Sequence, residues 1–223
     1  MLRVRPADGR HNASPSAAPP FFLRVRLSRA TFPRMDTATQ PAPVARFLWD
    51  ADRYEEAVAR GIFTTEDPIE LIDGEIITHM SPQKSPHATA ISLLDEALRI
   101  AFGSGFVFRA QLPLRLGDRS LPEPDIAVVR GSARDYLAGH PRAAELVVEV
   151  ADTSLTIDRG RKLHLYAREG VPEYWIVNLV DECVEVHRRP SGEEYAESRT
   201  CLRGESIATG PRAQLVAVND LLP

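Results

Sequence analysis

The apolar positions of the chain fall into short runs separated by turn residues. Ile69-Glu70-Leu71-Ile72 and Glu75-Ile76-Ile77-Thr78 flank the pair Asp73-Gly74. Two β-prone runs around Asp-Gly predict a hairpin. Ahead of it, Asp50 or Asp52 can cap a short helix through Arg60, with Gly61 just past its end. After it, Ser85-Pro86 reads as N-cap and first helical residue of a helix to about Phe102. Ile91, Leu94, Leu98 and Ala101 form its apolar stripe, and Gly103 ends it.

Strands follow over residues 105–116 and 125–129, the second entered through Pro122 and Pro124. Residues 146–150 and 174–180 are near-continuous apolar runs, and residues 157–168 between them suit a helix closed by Gly170. Dense strand, helix and dense strand predict a βαβ crossover in a buried, partly parallel sheet. Cys183 to His187, a turn at Ser191-Gly192 and the chain from Tyr195 onward read as antiparallel strands. The class is therefore α/β (α+β), a mixed sheet with flanking helices and a C-terminal antiparallel part.

Composition changes this picture mainly at the N-terminus. Residues 1–45 are rich in Pro, Ala, Ser and Arg without sustained periodicity, and are expected to be disordered and outside the fold. Their Arg-rich character superficially suggests an organellar transit peptide, and Met35 offers an alternative start. Residues 46–223 make up the expected domain. Residues 1–34 hold seven arginines against one acid, Asp8, a net +6 that leaves −10 on the rest of a chain of net charge −4. So acidic a body is poorly steered onto nucleic acid unless a local basic face or metal ions offset the repulsion. No apolar run is long enough to span a bilayer. Two cysteines, Cys183 and Cys201, are too few for a disulfide framework, so a cytoplasmic setting is expected.

Candidate chemistry begins with Glu149, set inside Leu146-Val147-Val148-Glu149-Val150 and facing away from Leu146, Val148 and Val150. A carboxylate within an apolar strand is costly unless it is paired, solvated in a cleft or bound to a cation. Asp125 opens the neighbouring strand. Two carboxylates converging from adjacent strands repel, and a divalent cation relieves the repulsion. Oxygen ligands suit Mg²⁺ or Mn²⁺. On the crossover helix Asp158, Lys162 and Tyr166 follow at intervals of four, roughly on one face. Lys162, one of only two lysines with Lys84, could reach the carboxylates from there.

Pro124-Asp125 followed by Glu149 resembles the PD-(D/E)xK nuclease pattern, although Ala151 stands where that pattern has its lysine. The run from Glu149 to Ser154, then Asp158, Lys162 and Tyr166, is similar instead to the Uma2 family of endonucleases, in which the lysine sits on the helix. Glu70 to Glu75, Ser81-Pro82 with His87, and Gly170 to Val177 are similar to that family too. The resemblance spans roughly residues 46–223. It implies a restriction-endonuclease-like core that hydrolyses DNA phosphodiesters with Mg²⁺ or Mn²⁺. Asp125 and Glu149 would be metal ligands, Lys162 the catalytic lysine, and Glu75 a further metal-side member for which Glu70 competes. It also implies a homodimer.

Each residue has a plainer reading. Asp125 can end a turn, Glu149 can pair with an arginine across the sheet, and Asp158 and Lys162 can be an exposed helix pair. His87 can be surface decoration or contact phosphate. A catalytically inactive nuclease fold that binds a partner, or a metal-dependent phosphoesterase acting on small nucleotides, also accommodates the pattern. A basic rim of Arg109, Arg115, Arg130, Arg159 or Arg161 would favour DNA, and an acidic rim its rivals.

Overall fold

The computed structural model describes residues 45–64, 66–78 and 84–223. Ser81 and Pro82, and the N-terminal segment through residue 44, lie outside the described residues. Helix α1 (Ala51–Ala59) is capped by the Asp50 carboxylate, which accepts the Arg53 amide at 2.8 Å. Strands β1 (Ile69–Ile72) and β2 (Glu75–Thr78) form the expected hairpin. At its tip Asp73 and Gly74 both have positive φ, as a tight turn of the matching twist demands. A Cβ on Gly74 would also meet Leu48 and the Trp49 carbonyl at 2.9 Å, so only glycine fits there.

Helix α2 (Ser85–Phe102) packs across one face of a six-stranded sheet. The sheet has the order β3 (Phe106–Arg109), β4 (Ile126–Arg130), β5 (Leu146–Ala151), β6 (Glu173–Asn178), β7 (Cys183–Ser191), β8 (Glu194–Leu202). Only β5 and β6 are parallel. The crossover between them runs from a single turn, α3 (Leu155–Ile157), through a π-helical turn at Asp158–Lys162 into α4 (Leu163–Arg168). It covers the other face. Leu146, Val148 and Val150 therefore pack towards α2, whereas Val147 and Ala151 pack with Leu163, Leu165 and Tyr166. Burial on both faces explains the unbroken apolar runs. A separate hairpin, β9 (Ser206–Thr209) with β10 (Gln214–Ala217), closes the α2 side.

The strand expected over residues 105–116 is shorter than the pattern suggests. It pairs with β4 only through Arg109, and Gln111 then adopts φ +51°, which no strand accommodates. The sheet face that carries Val147 also carries Glu149 and, just before β4, Asp125. Among the described residues no helix is long and apolar enough to cross a membrane.

Candidate active site

Asp125 is delivered to the head of β4 by the Pro-Glu-Pro entry, where its carboxylate turns towards β5. Oδ2 accepts the backbone amide of Val150 at 2.8 Å and lies 3.3 Å from His87 Nε2 on the first turn of α2. Oδ1 accepts the Gln111 side-chain amide at 3.2 Å. One strand over, Glu149 is 4% exposed, and its Oε1 accepts from Lys162 Nζ at 3.0 Å and from the Tyr166 hydroxyl at 2.7 Å. The Lys162 ammonium also stands 3.2 Å from Glu70 Oε1, a fully buried carboxylate on β1 whose other oxygen accepts the Glu123 amide. Asp158, 1% exposed, accepts the Ser154 hydroxyl, and its own carbonyl accepts from Tyr174.

The sequence thus brings Asp125, Glu149 and Lys162 onto one side of the sheet, with Lys162 bonded to Glu149. Glu75 is not drawn into this cluster. It is half-buried at the start of β2 and pairs with Arg46 at 2.8 Å and Arg161 at 2.9 Å, which hold its carboxyl below the usual range. Glu70, its competitor, occupies the buried position. Alternation does not separate them, since both lie on one face of the hairpin; depth of packing does. Residues 70 and 75 pair with 77 and 72 across the hairpin, and burial deepens along β1 while β2 stays half-open.

His87 and Gln111 complete the surroundings of Asp125. In the sequence His87 is open to surface decoration and to phosphate contact, and nothing there singles out Gln111. Only the positive φ at Gln111, invisible in the sequence, turns that side chain onto Asp125.

Electrostatics within the cluster are dominated by burial. Desolvation raises the Glu149 carboxyl to about 8, with Lys162 opposing the rise and Asp158, Asp125 and Glu70 reinforcing it. Burial raises Asp158 too, against the pull of Lys162. Burial alone would push the Lys162 ammonium down, but Glu149, Glu70 and Asp158 together outweigh it and hold the amine protonated. The hydrogen bond to Asp125 raises His87 against the opposing effect of burial. Tyr166 is raised far above its ordinary value by burial and by the carboxylates, so it remains a donor.

Among the described residues, no group of three or more His, Cys, Asp or Glu side chains stands with the spacing of a metal site. The donor chemistry nevertheless fits a hard divalent cation. Glu70, Glu149 and Asp158 are buried around the Lys162 ammonium, Asp125 is buried against His87, and all four offer oxygen. A cation would relieve the repulsion among these acids.

The arginines expected as a rim are largely spent on acids. Arg115 pairs with Asp52 and Glu55, Arg130 with Glu145, Arg159 with Glu185, and Arg161 with Glu75. Among the described residues Arg109 has no carboxylate partner; its guanidinium bonds the Pro113 carbonyl and lies 5.9 Å from the Tyr136 ring. These five do not form an open basic rim.

No curated protein matches the chain. The fold is similar to a crystal structure from Anabaena variabilis ATCC 29413, described as "a putative nuclease belonging to DUF820". The likeness has a TM-score of 0.58 at 18% identity and covers 73% of this chain and 94% of that one. The sequence itself matches the Uma2 family model, described as "Putative restriction endonuclease", over residues 51–215, and the chain belongs to that family.

Proposed function

We propose that this protein is a metal-dependent endonuclease that hydrolyses DNA phosphodiesters at the Asp125–Glu149–Lys162 cluster. The observation that carries the reading is the Lys162 ammonium, buried 3.0 Å from Glu149 and 3.2 Å from Glu70 on the sheet face that also bears Asp125. Burying Glu70, Glu149 and Asp158 around an ammonium is a poor way to stabilise a fold, because desolvation exceeds the pairing gained. The same arrangement suits chemistry on an anion. Glu149 and Asp125, with Glu70 in place of Glu75, would hold Mg²⁺ or Mn²⁺. When bound, such an ion neutralises the carboxylates, attracts a phosphate and lowers the pKa of water.

The chain's own groups contribute the rest. Lys162 directs a fixed positive charge at the place where negative charge grows on the phosphoryl oxygens. Tyr166, on the same Glu149 oxygen as Lys162, keeps that carboxylate from turning away. Asp125 is held by the Val150 amide, so it meets a ligand without reorganising. Cutting both strands of a duplex asks for two such sites, so the reading carries a homodimer.

The test is cleavage of plasmid and oligonucleotide DNA with Mg²⁺ or Mn²⁺. Asp125→Ala, Glu149→Ala and Lys162→Ala should each lose about 10²-fold or more in rate. Equal cutting by wild type and all three variants overturns the assignment. The ion-paired arginines favour a second reading, in which the site acts on small nucleotide phosphodiesters that need no basic groove. Turnover of bis(p-nitrophenyl) phosphate without cleavage of DNA would select it.

A further inference from the structure

We infer that Gln111 is a positioning residue for Asp125, its carboxamide locking the carboxylate oxygen that the Val150 amide and His87 leave uncovered. The inference rests on the reading of Asp125 as a ligand-binding carboxylate. Three donors from separate parts of the fold meet on this one side chain. The Val150 amide from β5 (2.8 Å) and His87 Nε2 from α2 (3.3 Å) address Oδ2, and Gln111 Nε2 addresses Oδ1 at 3.2 Å. Without Gln111, rotation of the carboxylate about its last bond is restrained from one side only.

The backbone at Gln111 supports a side-chain role. Its φ of +51° is a conformation that costs an L-residue roughly 1–2 kcal/mol and a glycine almost nothing. The turn itself needs only the residue's amide, which bonds the Pro124 carbonyl at 3.1 Å and the Asp125 carbonyl at 3.3 Å. Glycine would serve the turn better. What glutamine alone adds is a side chain that returns to the residue on which its own backbone is anchored. Gln111 is otherwise exposed, so no core packing accounts for it. A neutral amide also suits the task, because it fixes the carboxylate without cancelling its charge, whereas an arginine or lysine there would compete with a cation.

Two measurements test this. In EDTA, thermal unfolding of wild type, Gln111→Ala, Asp125→Ala and the double variant should be non-additive by roughly 2–4 °C. Alanine keeps the strained backbone in both Gln111 backgrounds, so the cycle reports the side-chain contact alone. Additive shifts overturn the proposal. In calorimetric titration with Mn²⁺, Gln111→Ala and Gln111→Gly should both bind about tenfold more weakly than wild type. If Gln111→Gly binds like wild type, the backbone and not the amide matters, and the proposal falls. If wild type itself binds no Mn²⁺, the metal reading falls, and the unfolding cycle still decides whether Gln111 holds Asp125.

Discussion

Lys162 is the residue on which the interior of this fold most depends electrostatically. Removing one member of a buried ionic cluster leaves its partners charged and unpaired, at a cost of about 3–5 kcal/mol. Lys162→Met, similar in volume, should therefore lower the unfolding free energy by that order in urea titrations. Adding Glu149→Gln should recover part of the loss, since the amide needs no counter-charge. Tyr166→Phe removes a hydroxyl bonded at 2.7 Å to a buried carboxylate and should cost about 1–3 kcal/mol by the same measurement. Away from the site, His187 is 8% exposed, stacks on Tyr174 and bonds Ser198, and burial holds its pKa below 6.5. A base with a lowered folded-state pKa lends stability that is present above pH 6.5 and lost as pH falls through the lowered value. The melting temperature of wild type should therefore drop more steeply on acidification below pH 6.5 than that of His187→Phe, which keeps the stack and does not titrate.

At the scale of elements, the crossover between β5 and β6 does more than connect parallel strands. The spacing of Asp158, Lys162 and Tyr166 suggests an ordinary helix, but residues 158–162 form a π-helical turn in which the Leu163 amide reaches the Asp158 carbonyl. An extra residue of this kind re-aims the side chains around it, and such turns recur at functional sites. Here it leaves Lys162 and Tyr166 on the same oxygen of Glu149 while Asp158 remains buried beneath them. Gly160 lies within this turn, and a Cβ there would meet nothing within 4 Å. Gly160→Ala should be neutral or stabilise by up to about 1 kcal/mol in denaturant titrations. Deleting Gly160 turns the following residues by about 100° relative to Asp158. That deletion should abolish cleavage while far-UV circular dichroism keeps its shape. Retained activity would show that the π-turn is incidental.

For the whole molecule, the decisive quantity is the field that a substrate meets. Arg115, Arg130, Arg159 and Arg161 are matched to Asp52, Glu55, Glu75, Glu145 and Glu185, so they add little net attraction. Binding to nucleic acid through few phosphate contacts has a weak salt dependence. Oligonucleotide affinity measured by fluorescence anisotropy should therefore fall with a log–log slope shallower than about −3 between low and physiological salt. A steep slope would reveal basic groups beyond those that line the described face, and would strengthen the case for long DNA over small nucleotides.

The sequence by itself determined the β1–β2 hairpin, the dense strands β5 and β6 with a crossover between them, and the family. These follow from local periodicity, turn residues and burial on both faces, all of which are written in consecutive positions. It also marked Asp125, Glu149 and Lys162, because a carboxylate inside an apolar strand and an isolated lysine are anomalies legible without coordinates. Tertiary structure decided which partners those residues meet. Glu70 and Glu75 are both glutamates on one small hairpin, and only its packing beneath the crossover turns Glu70 inward to Lys162 and leaves Glu75 to Arg46 and Arg161. Gln111 and His87 reach Asp125 through a left-handed backbone position and through the docking of α2. The rim arginines looked available in one dimension, yet Arg115, Arg159 and Arg161 find their acids tens of residues away in the chain. Contacts over such separations depend on how elements pack, which no local pattern encodes.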